Sequence, residues 1–262
     1  MKKFFLLVIL GFVLPSLWIS SCQTGSDAYK TTAENPELLH RGFRRIIEIM
    51  RHDIFAPPIA SRIYAYSAVA AYEALIPGYP EYKSLAGQLN GLTECPKPEA
   101  GKAYCYPLAS VAALMKVGKT LIFSEASMEE LQETIFKEFQ DMDMPKDVYD
   151  RSMQFGEAIA DHILKWSKGD NYAQTRSAPK FTINTKDPGR WVPTPPQYAD
   201  ALEPHWREIR PWVLDSAAQF KPIPHFPYSE DKNSDFYKSA LEVYEAGKNL
   251  TEEQKETGLY WD

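Results

Sequence analysis

Ten of the twenty prolines in this 262-residue chain fall between Asp170 and Asn233, at positions 179, 188, 193, 195, 196, 204, 211, 222, 224 and 227. Each removes a backbone donor and biases the residue before it away from helix, so this stretch excludes long helices and central strands. Yet Trp191, Tyr198, Trp206, Trp212, Phe220, Phe226 and Tyr228 are interleaved with the prolines, far more aromatic surface than a disordered linker carries. The stretch reads as a long ordered belt that wraps over helices or lines a cleft. Its aromatic rings suit two roles, as anchors for irregular backbone or as a ligand-stacking surface.

Ahead of the belt the periodicity is helical. Asn35 and Pro36 make a helix start, after which Leu38, Leu39, Phe43, Ile46, Ile47 and Met50 recur at three- and four-residue steps. Asp53 to Pro58 is a break. Ile59 to Leu75 is a second helix, apolar around most of its circumference and rich in alanine, and therefore a core helix. The stretch from Gly78 to Tyr106 reads as loop with one helical piece near Tyr82 to Leu92. Helix resumes from Leu108 to Phe123. Ser127 with Glu130 forms a capping box for a helix to about Met142, and another runs from Pro145 to Lys168 before Gly169. Past the belt, Phe236 to Ala246 is helical, and Thr251 with Gln254 opens a last helix reaching Leu259, Tyr260 and Trp261. No alternating strand pattern occurs. The expected fold is all-α, a helical bundle with a long ordered belt rich in proline and aromatics. Because Asp262 ends the chain two or three turns into an apolar helix, the bundle is expected to be incomplete at its C-terminus.

The N-terminus is a targeting segment. Lys2 and Lys3 precede an apolar run from Phe4 to Ile19, broken by Gly11 and Pro15, and small residues lead into Cys22. Ile19-Ser20-Ser21-Cys22 resembles the lipobox of bacterial lipoproteins. That resemblance implies a signal peptide over 1–21, acylation of Cys22, an anchor linker over 22–34 and a folded part over 35–262. The expected location is the cell envelope, lipid-anchored to a bilayer and facing periplasm or exterior. Cleavage after residue 21 removes two lysines and no acids, taking the net charge from −6 to −8. So acidic a surface, without a basic run, excludes nucleic acid as a partner.

With Cys22 lipidated, Cys95 and Cys105 remain, ten residues apart across Pro96, Pro98 and Gly101. In an oxidising compartment a disulfide between them is expected. It would contribute about 2–3 kcal/mol by closing a short loop; the alternative is two free buried thiols. No histidine is near enough in sequence to suggest a metal site there.

Several segments resemble the N-terminal half of bacterial vanadium-dependent haloperoxidase-like proteins, members of the type 2 phosphatidic acid phosphatase (PAP2) superfamily. They are Arg51-His52-Asp53-Ile54-Phe55-Ala56-Pro57-Pro58-Ile59-Ala60-Ser61-Arg62-Ile63-Tyr64, Asp187-Pro188-Gly189-Arg190-Trp191-Val192-Pro193-Thr194-Pro195-Pro196 and Leu202-Glu203-Pro204-His205-Trp206, joined by Asp231-Lys232-Asn233-Ser234 and the stretch from Leu250 to Asp262. The resemblance implies a helical bundle holding vanadate or a substrate phosphate. In the family a lysine and arginine motif, a Ser-Gly-His stretch and a final arginine and histidine neutralise the oxyanion and carry nucleophilic and acid–base roles.

None of those motifs is found here. Arg210-Pro211 is the one arginine-proline step, but Glu203 rather than a lysine stands seven residues before it, and no Ser-Gly-His occurs. His40, His52, His162, His205 and His225 therefore inherit no catalytic role. Catalytic residues, metal ligands and a cofactor are accordingly not assigned within this chain, vanadate or phosphate being expected only in a full-length relative. The leading expectation is an N-terminal part, inactive alone, whose partner would be a separate C-terminal half. It implies an unfilled apolar groove edged by Tyr64, Tyr260 and Trp261. The competing expectation is a complete non-catalytic lipoprotein that binds a glycan or partner protein through the aromatic belt.

Overall fold

The computed structural model describes residues 27–261. Cys22, the signal segment 1–21 and the first part of the linker lie outside them. The described residues are helical, with no strand, so the all-α expectation is met. None of the described helices is long and apolar enough to cross a membrane. The chain divides into two compact units, the first running to Ser177 and including Glu208–Leu214, the second comprising Ala178–Arg207 and Asp215–Asp262.

The first unit holds α1 (Ala28–Ala33), α2 (Glu37–His52), α3 (Pro57–Leu75), α4 (Tyr106–Leu121), α5 (Glu125–Gln140), α6 (Lys146–Lys168) and the single turn α7 (Tyr172–Thr175). Helix α4 is its axis: Leu108, Ala109, Val111, Ala112, Ala113, Leu114, Met115 and Val117 are all buried, and α2, α3, α5 and α6 pack around it. Alanines at 70, 71 and 74 of α3 and at 109, 112 and 113 of α4 are buried, which lets these two helices approach closely. At Gly156 of α6 the approach is closer still, since a Cβ there would lie 2.3 Å from the Ala109 carbonyl oxygen.

Helix boundaries follow the sequence where the signal is local. Helix α3 begins with Pro57 at its first position, where the missing N–H has no partner to lose. Two readings are corrected. The segment Tyr82 to Leu92 forms turns rather than a helix, because Gly87 and Gly91 take left-handed φ values of 75° and 74° and Glu73 captures the Ser84 hydroxyl and the Leu85 amide. Helix α5 begins at Glu125, ahead of the Ser127 capping box. Its start is fixed by a residue far away: Asp53 Oδ2 accepts the Phe123 and Ser124 amides, both at 3.0 Å.

In the second unit, α8 (Asp235–Lys248) and α9 (Glu252–Trp261) follow the belt segments. The Ser234 side chain caps α8. The Thr251–Gln254 capping box forms as expected, each side chain bonding the other residue's amide. Neither helix has a buried residue.

Candidate functional site

The densest buried polar cluster in the first unit ties the Glu208–Leu214 strap to the helices. Asp170, just past α6, is 1% exposed, and Arg62 of α3 is 9% exposed. Arg62 Nε donates to Asp170 Oδ2 at 2.6 Å and its NH2 group donates to the Ser167 carbonyl at 3.2 Å. Tyr66 donates its hydroxyl to the same carboxylate oxygen at 3.0 Å, while the other oxygen accepts the Tyr172 amide. Burial, then the neighbouring Asp170 charge, raises the Tyr66 pKa well above that of a free phenol.

Arg210 enters from the strap. Its NH2 group donates to the Tyr66 hydroxyl at 3.1 Å and to the Trp166 carbonyl at 3.0 Å, and its own amide donates to the Asp170 carbonyl. Tyr66, Trp166 and Trp212 form a ring cluster with centroids 4.9–5.0 Å apart. Asn90 donates to the Pro211 and Leu214 carbonyls and receives Trp166 Nε1 on its own carbonyl. In consequence Arg210-Pro211 serves to hold the strap.

A tetrahedral oxyanion such as vanadate requires cationic donors whose charge is not already matched. Arg62 is neutralised by Asp170, and Arg210 commits its terminal donors to a phenol and backbone carbonyls, leaving its buried Nε as the single unpartnered donor of the cluster among the described residues. One cation with one open donor is not the set of several cationic donors that vanadate requires, so these residues do not fit it. Among the described residues no group of three or more His, Cys, Asp or Glu side chains could hold a metal ion.

The histidines are dispersed. His52 Nδ1 lies 3.1 Å from Asp53 Oδ1, and Ser124 Oγ also donates to that oxygen. The three residue types of a hydrolytic triad are thus adjacent, but Ser124 Oγ donates to the carboxylate directly and lies 3.5 Å from the same His52 Nδ1 that faces Asp53, so the imidazole does not bridge serine and carboxylate through its two nitrogens as a triad histidine does. Burial works against the Asp53 charge, yet hydrogen bonds from Ser124, His52 and the Phe123 amide outweigh it and hold its pKa at about 2. His162 contacts Thr93, His205 the Pro179 carbonyl and His225 the Phe226 carbonyl, while His40 lies 4.0 Å from Glu37.

The expected Cys95–Cys105 bridge is not formed; both are free thiols. Cys105 sits in the cluster around Leu108 and Val111, with its amide bonded to Ser152 Oγ. Cys95 packs with the other cluster, beside Leu92, and its thiol points to the Thr93 carbonyl oxygen at 4.0 Å. Burial, followed by the Glu73 charge, pushes the Cys95 pKa up to about 12, and burial pushes that of Cys105 up to about 11. Neither is a reactive thiolate at neutral pH. Cys95, Glu73, Tyr82 and Leu92 line a cleft of about 980 Å³. In the second unit, Phe181 and Trp191 meet edge to face at 5.6 Å and line a cleft of about 570 Å³ with Gln197 and Leu202.

No family model matches the chain, and none of the curated proteins does. A solved structure does, with a TM-score of 0.79 and 51% identity over 83% of this chain. The chain belongs to the vanadium-dependent haloperoxidase-like family of the PAP2 superfamily. The matched structure is that of the first bacterial vanadium-dependent iodoperoxidase, of which this chain covers 52%. It thus spans about half the length of that relative.

Proposed function

We propose that this chain forms the N-terminal helical part of a vanadium haloperoxidase-like enzyme, with the oxyanion-binding lysine, arginine and histidine supplied by residues outside these 262. The observation that carries this reading is the pairing of 51% identity over most of this chain with coverage of only half the iodoperoxidase. Two features support it. Arg62 and Arg210 are committed to structure, and α8 and α9 expose Val243, Tyr244, Leu259, Tyr260 and Trp261 at 58–80%, as helices that pack on a further layer would. On this reading the chain alone does not turn over.

The test is to assay iodide and bromide oxidation with peroxide and orthovanadate, and phosphate-ester hydrolysis, on the purified chain. No turnover is expected; turnover abolished by a point substitution within these residues would sink the proposal. The targeting segment supports a second element, acylation of Cys22 and retention at a bacterial membrane. Cys22→Ser is expected to move the protein from the membrane to the soluble fraction.

A non-catalytic reading, glycan or partner binding by the belt, draws support from the half-exposed Trp191 and Phe181 rings in their shared cleft. It predicts that Trp191→Ala abolishes retention on a glycan array.

A further inference from the structure

We propose that the cleft over Glu73 is a binding site for a hydrophobic organic amine, held as its ammonium ion. This goes beyond the haloperoxidase-like reading and does not depend on it. Glu73, on the last turns of α3, is 3% exposed. Its Oε1 accepts the Leu85 amide at 2.6 Å and its Oε2 accepts Ser84 Oγ at 2.8 Å. Both donors are neutral, and no lysine, arginine or histidine among the described residues pairs with it. A buried carboxylate served only by neutral donors retains a charge that a cation can match.

The cleft defines which cation. Its volume of about 980 Å³ suits a small organic molecule. Ile76, Leu92, Pro96 and Pro98 supply apolar wall, and Tyr82, 57% exposed, offers a ring face of the kind that attracts ammonium groups. At the rim Glu94 and Lys97 pair with each other, so the Glu73 charge is not cancelled from above. A hard metal ion would require several oxygen ligands, whereas these walls are largely hydrocarbon. An anion would be repelled by the floor, and a neutral apolar molecule would leave the carboxylate unmatched.

The experiment is calorimetric titration of the full chain with phenethylamine and with its neutral isostere 2-phenylethanol at pH 7. Phenethylamine is expected to bind on the order of tenfold more tightly, as a charge-assisted contact to a buried carboxylate allows. Glu73→Gln removes that preference, and Thr93→Trp, a bulky change at an exposed lining position, weakens both ligands. Equal affinities for the two compounds in the unmodified chain, or no heat from either, overturn the proposal whether or not the Glu73 variant folds. So does an amine preference that survives Glu73→Gln.

Discussion

Asp170 receives Arg62 and Tyr66 on one oxygen and the Tyr172 amide on the other, so replacing it by asparagine leaves a buried guanidinium without its counter-charge. Asp170→Asn is expected to cost about 3–5 kcal/mol, read by urea unfolding of the chain. Asp53 acts at the surface end of the bundle and makes a pH-dependent contribution. Its folded pKa of about 2 lies below the ordinary 3.8, so its contribution is complete above pH 4 and is lost as the pH falls towards 2. Asp53→Ala should remove a helix cap worth about 1 kcal/mol at neutral pH and flatten the acid limb of the stability profile. Neither role could be read from the sequence. Asp170 meets Arg62 across 108 residues and Asp53 meets Ser124 across 71, and no local pattern reports such pairings. The cysteine reading failed for a related reason: spacing suggests a bridge, but each thiol is claimed by a different buried cluster.

At the scale of the elements, periodicity was informative wherever one helical face is buried. Helices α2, α3, α4 and α6 are found where Leu38, Ile63, Leu108 and Ile159 and their periodic neighbours place them. The Thr251–Gln254 box was equally legible, because a capping box is complete within four residues. The turn segment 82–92 was not, since it is shaped by Glu73 from helix α3. Gly156 is the most restrictive contact between elements. Adding a single methyl as Gly156→Ala drives a Cβ to 2.3 Å from a backbone oxygen of α4, and neither helix backbone can move without disturbing alanine packing. The expected loss is about 1–3 kcal/mol, measurable as a lowered Tm.

For the whole molecule, family membership was readable from motif segments such as Asp187 to Pro196, and so was the absence of the lysine–arginine and Ser-Gly-His motifs. The cleft over Glu73 was invisible although its lining falls within residues 73–98, because the turns that gather those residues follow no periodic pattern.

The strap bears on how the polypeptide can be divided. Glu208–Leu214 belongs to the first unit although the preceding thirty residues, 178–207, belong to the second. Asn90, Asn171, Asp170 and the Trp212 ring cluster hold it without covalent help. A single protease cut within 178–207 should therefore yield two fragments that co-elute on a sizing column and separate only in denaturant. With Arg210→Ala and Trp212→Ala combined, the same cut should release the C-terminal fragment. Co-elution would show that the covalent link through 178–207 is dispensable for seating the strap on the first unit, and that the gene can be split there into two pieces that reassemble.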